Sequence, residues 1–271
     1  MDQKIQKMKK AASTREEAIS RLCDIVALLR IKCPWDKEQT HESLKICMTE
    51  EAYEVCDAID RADFDNLREE LGDVMLQVVF HSALEEEKGS FDIVDVINDE
   101  CDKMIRRHPH IFQGETAKSV DKVLEKWENI KRSEHRDMTY ADELKGVPKG
   151  MPALMRSCKV QKKAANAGFD WDDVSGALDK LREETGEFIQ AYEEGDTDHI
   201  REELGDVLFS VVNIARFLKI DPEAALHETS EKFIRRFEVM EQIASDSGND
   251  LRDMSLDEMD RIWDEVKKDE K

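Results

Sequence analysis

A chain of 271 residues holds one large or two modest domains, since a single core rarely serves more than about 200 residues. Charged residues make up 38% of it and aromatics 6%, with 5 Pro and 11 Gly, which excludes a turn-rich β-sandwich or barrel and points to an all-α protein of long, polar-faced helices. A formal net charge of −22 argues against nucleic acid and anionic membrane as partners, because phosphate backbones and headgroups would be repelled.

In chain order, the first thirty residues carry a short basic cluster from Lys4 to Lys10 and no apolar signal core. No stretch approaches the ~20 apolar residues of a membrane span, so a cytoplasmic protein is expected. Cys33-Pro34-Trp35-Asp36 precedes the first strongly periodic segment, in which Cys47, Met48, Ala52, Val55 and Ile59 keep helical spacing around Glu50-Glu51-x-x-Glu54. Arg61 to Asn66 reads as a turn. Leu71, Val74, Met75, Val78 and Val79 then define a second helix carrying Glu70-x-x-Asp73, so the pair forms an antiparallel hairpin. Lys103, Arg106 and Arg107 follow at i, i+3 and i+4, then His108-Pro109-His110 as a loop, then Trp127. Gly146-Val-Pro148-Lys-Gly150-Met-Pro152 gathers helix breakers and reads as a linker, dividing the chain into domains 1–145 and 146–271. The six cysteines include no CxxC pair and are expected as reduced, buried thiols.

Past the linker the pattern returns. Arg68-Glu-Glu-Leu-Gly-Asp-Val74 recurs as Arg201-Glu-Glu-Leu-Gly-Asp-Val207, a displacement of 133 residues that also carries Glu50-Glu51-x-x-Glu54 onto Glu183-Glu184-x-x-Glu187. Lys103, Arg106 and Arg107 return as Lys232, Arg235 and Arg236, and Trp127 as Trp263. Trp171-Asp172 precedes the second acidic helix as Trp35-Asp36 precedes the first. Leu181, Phe188 and Ile189, a turn around Gly195-Asp196, then Leu204, Val207, Leu208, Val211 and Val212 give the second hairpin.

In a symmetric hairpin, residues equidistant from the turn stand level. Glu54 then faces Glu70 and Glu51 faces Asp73; Glu187 faces Glu203 and Glu184 faces Asp206, centred on Gly195. Like charges at such spacing cost roughly 0.2–0.5 kcal/mol per pair even on a surface, so only bound cations would make two identical carboxylate squares favourable. Ligand sets of oxygen alone suit hard ions such as Mg²⁺ or Mn²⁺, and the histidines fall outside these motifs. A single acidic run is ordinarily a solvated helix face; a height match preserved twice argues otherwise. Each Lys-x-x-Arg-Arg trio projects from one helix side and could cradle phosphate oxygens, although alone such a trio reads as a salt-bridged face. Trp127 and Trp263 read equally as base-stacking groups or core plugs.

Glu-Glu-x-x-Glu, a gap, Glu-x-x-Asp and then Lys-x-x-Arg-Arg, with Cys33-Pro34-Trp35-Asp36 before the first hairpin and Gly168-Phe-Asp-Trp171 before the second, resembles the all-α nucleoside triphosphate pyrophosphohydrolases of the MazG family in its tandem form. The resemblance implies two helical-bundle domains that hydrolyse nucleoside triphosphates to monophosphate and pyrophosphate, clearing unwanted or non-standard nucleotides, and that form a homodimer. It implies metal binding by Glu51, Glu54, Glu70 and Asp73 and by Glu184, Glu187, Glu203 and Asp206, with Glu50 and Glu183 beside them. Nucleotide contacts would come from Lys180, Lys232, Arg235, Arg236 and Trp263. A two-metal attack by water is expected, with a carboxylate such as Glu183 taking the proton. Cys47, Tyr53 and Phe80 of the first repeat stand where the second has Lys180, Gly186 and Asn213, so the second, more polar near its acids, is expected to carry most turnover. Modified, deoxy or alarmone nucleotides are alternative substrates. A non-enzymatic alternative is an acidic helical interaction protein that binds metal or a basic partner without turnover.

Overall fold

The computed structural model describes residues 2–114, 119–134 and 138–269, and among these all regular structure is helical. The chain divides into two compact units, Met1–His135 and Arg136–Lys271. The first runs α1 (Asp2–Met8), α2 (Arg15–Lys32), α3 (Pro34–Lys37), α4 (His41–Asp60), α5 (Phe64–Lys88), α6 (Ile93–Arg107), α7 (Pro109–Phe112) and α8 (Val120–Ser133). The second runs α9 (Tyr140–Lys145), α10 (Ala153–Asn166), α11 (Val174–Glu194), α12 (Thr197–Leu218), α13 (Pro222–Asp246) and α14 (Leu256–Asp269). The linker expectation put α9 in the first domain; α9 packs on α10, with Lys163 and Glu143 paired at 3.5 Å.

Each unit is centred on one hairpin, α4–α5 or α11–α12, backed by a preceding helix, α2 or α10, and followed by a helical pair, α6–α8 or α13–α14. Local chemistry sets the helix ends. Thr40 and Ser43 form a capping box on α4, and the Asp63, Asp173, Asp196 and Asp221 side chains accept from the first free amides of α5, α11, α12 and α13. The hairpin turns differ at one matched position: left-handed backbone falls on Gly195 (φ 76°) in the second and on Ala62 (φ 52°) in the first.

The first core is Val26, Leu44, Val79, Phe80 and Leu84, joining α2 to both arms of the hairpin. At the open end of that hairpin the His41 and His81 Nδ1 atoms lie 2.7 Å apart, and His41 Nε2 lies 2.6 Å from Glu85. Bonds from Lys88, His41 and Ser90 hold the Glu85 carboxyl at about 2. Apolar Val174, Ile214 and Leu218 occupy these positions in the second hairpin. The cysteines are free thiols, but four are half-buried and Cys56 and Cys101 exposed; of these, Cys23 on α2 packs against the first core. No described helix is long and apolar enough to cross a membrane.

Candidate active site

The two arms of each hairpin bring their carboxylates together about the middle of the helices. In the first repeat one oxygen each from Glu51 on α4 and Glu70 and Asp73 on α5 lies within 4.8 Å of the others. Glu54 lies within hydrogen-bonding reach of Glu70 across the hairpin. Burial, then the contact with Glu54 and the charges of Glu54, Asp73 and Glu51, push the Glu70 carboxyl up. Burial and the charges of Asp73, Glu54 and Glu50 do the same to Glu51. The level pairs read from the sequence, Glu54 with Glu70 and Glu51 with Asp73, therefore meet across the hairpin.

In the second repeat Glu184 and Glu187 on α11 and Glu203 on α12 form the corresponding trio within 4.8 Å, and Asp206, exposed on α12, lies outside it. A cation enters here. Lys180 Nζ lies 2.8 Å from Glu183 and 2.5 Å from Glu184, and the two carboxylates raise its pKa. Burial and the Glu184 charge push Glu187 up, with Lys180 offsetting part of the rise. Glu183 and Glu50 stand exposed beside their clusters.

Both sets fit a hard divalent cation. The donors are all carboxylate oxygens, their mutual repulsion is what a cation would relieve, and the buried Oε2 of Glu203 makes no hydrogen bond in the protein.

The histidines fall outside the acidic motifs in sequence, yet one of them reaches a motif carboxylate in space. His199 Nε2 lies 3.1 Å from Glu203, one helical turn away, and the i, i+4 spacing was the available signal. Asn66 stands at the matching place in the first repeat, its amide donating to Glu70 Oε1 at 3.2 Å once its orientation is set by its neighbours.

The basic trios are also differentiated. Arg106 Nε and Arg107 NH2 both grip Glu134, at 2.7 and 2.5 Å, holding that carboxyl at about 2, while Lys103 pairs with Glu100. Arg107 lies 5.4 Å over the Trp127 ring. In the first unit all three cations of the trio are thus engaged by partners within the chain, Arg107 by its tryptophan as well. In the second, Lys232 and Arg235 are exposed on α13, and Trp263 of α14 leans on Phe233 at 5.0 Å. Asn213 is buried and accepts a hydrogen bond from Arg216 Nε at 2.8 Å; Arg216 in turn holds Asp170 through two bonds of 2.6 and 2.9 Å. Nothing in the spacing of Asp170 and Arg216 announced that clamp.

Comparison with known proteins agrees with the doubled architecture. The MazG nucleotide pyrophosphohydrolase domain matches residues 39–112 and again residues 172–240, the segments that hold the two hairpins and their basic trios. Nucleoside triphosphate pyrophosphohydrolase from Escherichia coli K12 is 42% identical over 257 residues, 93% of this chain and 98% of that protein. Nucleoside triphosphate pyrophosphohydrolase/pyrophosphatase MazG from Thermotoga maritima is 40% identical over 262 residues, 96% of this chain and 98% of its own length. Uncharacterized protein YabN from Bacillus subtilis is 48% identical over 240 residues, 88% of this chain and 49% of that one. With its domain matched twice and near-full-length relatives above 30% identity, the chain belongs to the MazG nucleotide pyrophosphohydrolase family.

Proposed function

We propose that this protein hydrolyses nucleoside triphosphates to nucleoside monophosphate and pyrophosphate in the cytoplasm, clearing unwanted or non-standard nucleotides, with turnover concentrated in the second repeat. The observation that carries the reading is the trio Glu184, Glu187 and Glu203 with Lys180 against it, an arrangement that pairs a hard-cation site with a positive group. Mg²⁺, or Mn²⁺, would be held by these residues with Asp206, and by Glu51, Glu54, Glu70 and Asp73 in the first repeat. A pair of such ions, when bound, supplies neutralisation of the triphosphate and activation of water for attack.

The chain's own residues do the rest. Lys180 is tethered to Glu183 and Glu184, and an incoming phosphate oxygen competes for its ammonium. That exchange frees the exposed Glu183 carboxylate to take the proton of the attacking water; Glu50 occupies the same place in the first repeat. Lys232, Arg235 and Arg236 meet phosphate oxygens from α13, and Trp263 beside them contacts the nucleotide. His199 positions Glu203 through its ring nitrogen. In the first repeat Lys103, Arg106 and Arg107 serve phosphate only if Glu134 and Glu100 release them, which supports placing turnover in the second.

The protein acts as a homodimer. Leu178, Ile189 and Tyr192 on α11 and Leu204, Leu208 and Val211 on α12 are exposed along the hairpin, and a second hairpin would cover them. Sedimentation should return twice the chain mass.

Pyrophosphate release from a mixed triphosphate pool tests the activity. Release with Mg²⁺ that stops in EDTA is expected; none from any triphosphate would contradict the reading and favour the interaction protein.

A further inference from the structure

We infer that Trp171 is a base-stacking platform of the second repeat's site, so that this residue, seated on Gly176, sets affinity for the nucleobase end of the substrate. The inference rests on the proposed hydrolase reading and names a part of its binding site.

Trp171 lies in the loop that leads into α11, and its indole takes the space a side chain at position 176 would need. A Cβ on Gly176 would fall 2.3 Å from Trp171 Cδ1 and 2.5 Å from Cγ, closer than any real contact. Glycine in a helix costs roughly 1 kcal/mol relative to alanine, and here the missing side chain is what lets an aromatic ring lie against the helix backbone. The ring is not a core plug, because Trp171 stays 43% exposed.

The seat faces the chemistry. Gly176, Lys180, Glu183 and Glu187 follow i, i+4, i+7 and i+11 spacing, so they share one face of α11. Eight residues separate Gly176 from Glu184, about 12 Å along the axis at 1.5 Å per residue. That span is comparable with the reach of a nucleotide from its phosphates to its base. A triphosphate held at the acidic trio and Lys180 can therefore lay its base on Trp171.

The loop is also held rigid. Asp170 is clamped by Arg216 through two bonds, and its Oδ1 accepts the Trp171 amide at 3.0 Å. On the other side Asp173 caps α11, accepting from Ser175 N at 2.7 Å. A ring fixed on both sides loses little freedom when a base stacks on it. The first repeat lacks the seat: Ser43 stands at the matching position, its Oγ accepting from Thr40 N and donating to Gln39 to close the α4 cap.

Calorimetric titration of the full chain with Mg²⁺ tests this, using a nucleoside triphosphate with a methylene α,β-bridge and, as a ligand without a base, inorganic tripolyphosphate. Trp171→Ala should weaken nucleotide binding roughly ten-fold, as loss of a base–aromatic stack does, and leave tripolyphosphate unchanged. Trp171→Phe should keep most of the affinity, and it serves as the test should the alanine variant not fold. Gly176→Ala, which favours the helix, should weaken nucleotide binding by displacing the ring. Unchanged nucleotide affinity in a folded Trp171→Ala protein, or an equal loss for tripolyphosphate, would overturn the platform while leaving the hydrolase reading intact. A native chain that bound neither ligand and released no pyrophosphate would overturn both.

Discussion

At position 180 the second hairpin carries a lysine whose ammonium touches Glu183 and Glu184; at the matching position 47 the first carries a cysteine, and there Glu51 and Glu70 are pushed up by burial and by the neighbouring carboxylates. The same contrast runs outward from the acids. The second repeat has His199 on Glu203, a seated indole at Trp171 and exposed Lys232 and Arg235, whereas the first has Asn66 on Glu70, a serine cap at Ser43 and arginines locked to Glu134. Duplication preserved the carboxylates, and the groups around them separated. Shared carboxylates therefore do not by themselves make the two sites chemically equivalent.

Four tests, some of them paired substitutions, sharpen or break that comparison. Lys180→Ala should lower kcat/KM for pyrophosphate release by roughly 10- to 100-fold, the loss expected for one charge-assisted contact, while Cys47→Ala leaves it within about two-fold. Equal effects in steady-state assays would erase the distinction. Glu134→Gln should destabilise the first unit by about 1–2 kcal/mol at pH 7, as read by hydrogen exchange of α6 and α8, because two arginines lose their shared partner. The sign with pH follows from a carboxyl held at about 2 against an ordinary 4.5. The clamp's contribution is full above pH 4.5 and fades as pH falls toward 2, so native and variant converge there.

Smaller effects separate the turns. Gly195→Ala should cost up to about 1 kcal/mol in chemical denaturation, and Ala62→Gly should cost nothing or stabilise by less than that, since the left-handed position already carries a Cβ. The last effect is one of direction. A carboxyl pushed up on folding destabilises the folded chain at pH 7, a cost relieved as pH falls from the raised value toward 4.5. Glu51→Gln should thus raise the melting temperature of the metal-free protein and remove part of the stabilisation given by Mg²⁺. A lower metal-free melting temperature would show that the first cluster is not under repulsion.

Both hairpins and the level pairing of Glu54 with Glu70 and Glu51 with Asp73 were legible because a repeat within one chain carries its own register. The i, i+4 pair His199 and Glu203 was legible but overlooked. The Asp170–Arg216 clamp and the Arg106–Arg107 grip on Glu134 join residues distant in sequence, and no periodicity encodes such pairings. The Trp171 seat was hidden for another reason: a helical glycine reads as a weakness until the ring that fills its space is seen. The scattered exposure of the cysteines shows the limit of composition, since a residue type that prefers cores still follows the face its helix gives it.

The central claim, that of two similar acidic clusters the second carries most of the turnover, is tested most directly by pyrophosphate release from Glu203→Gln and Glu70→Gln, each in the full chain with saturating Mg²⁺. Loss of at least 100-fold in Glu203→Gln with most of the rate kept in Glu70→Gln is the expected result. Comparable losses in both, or a loss confined to Glu70→Gln, would contradict it.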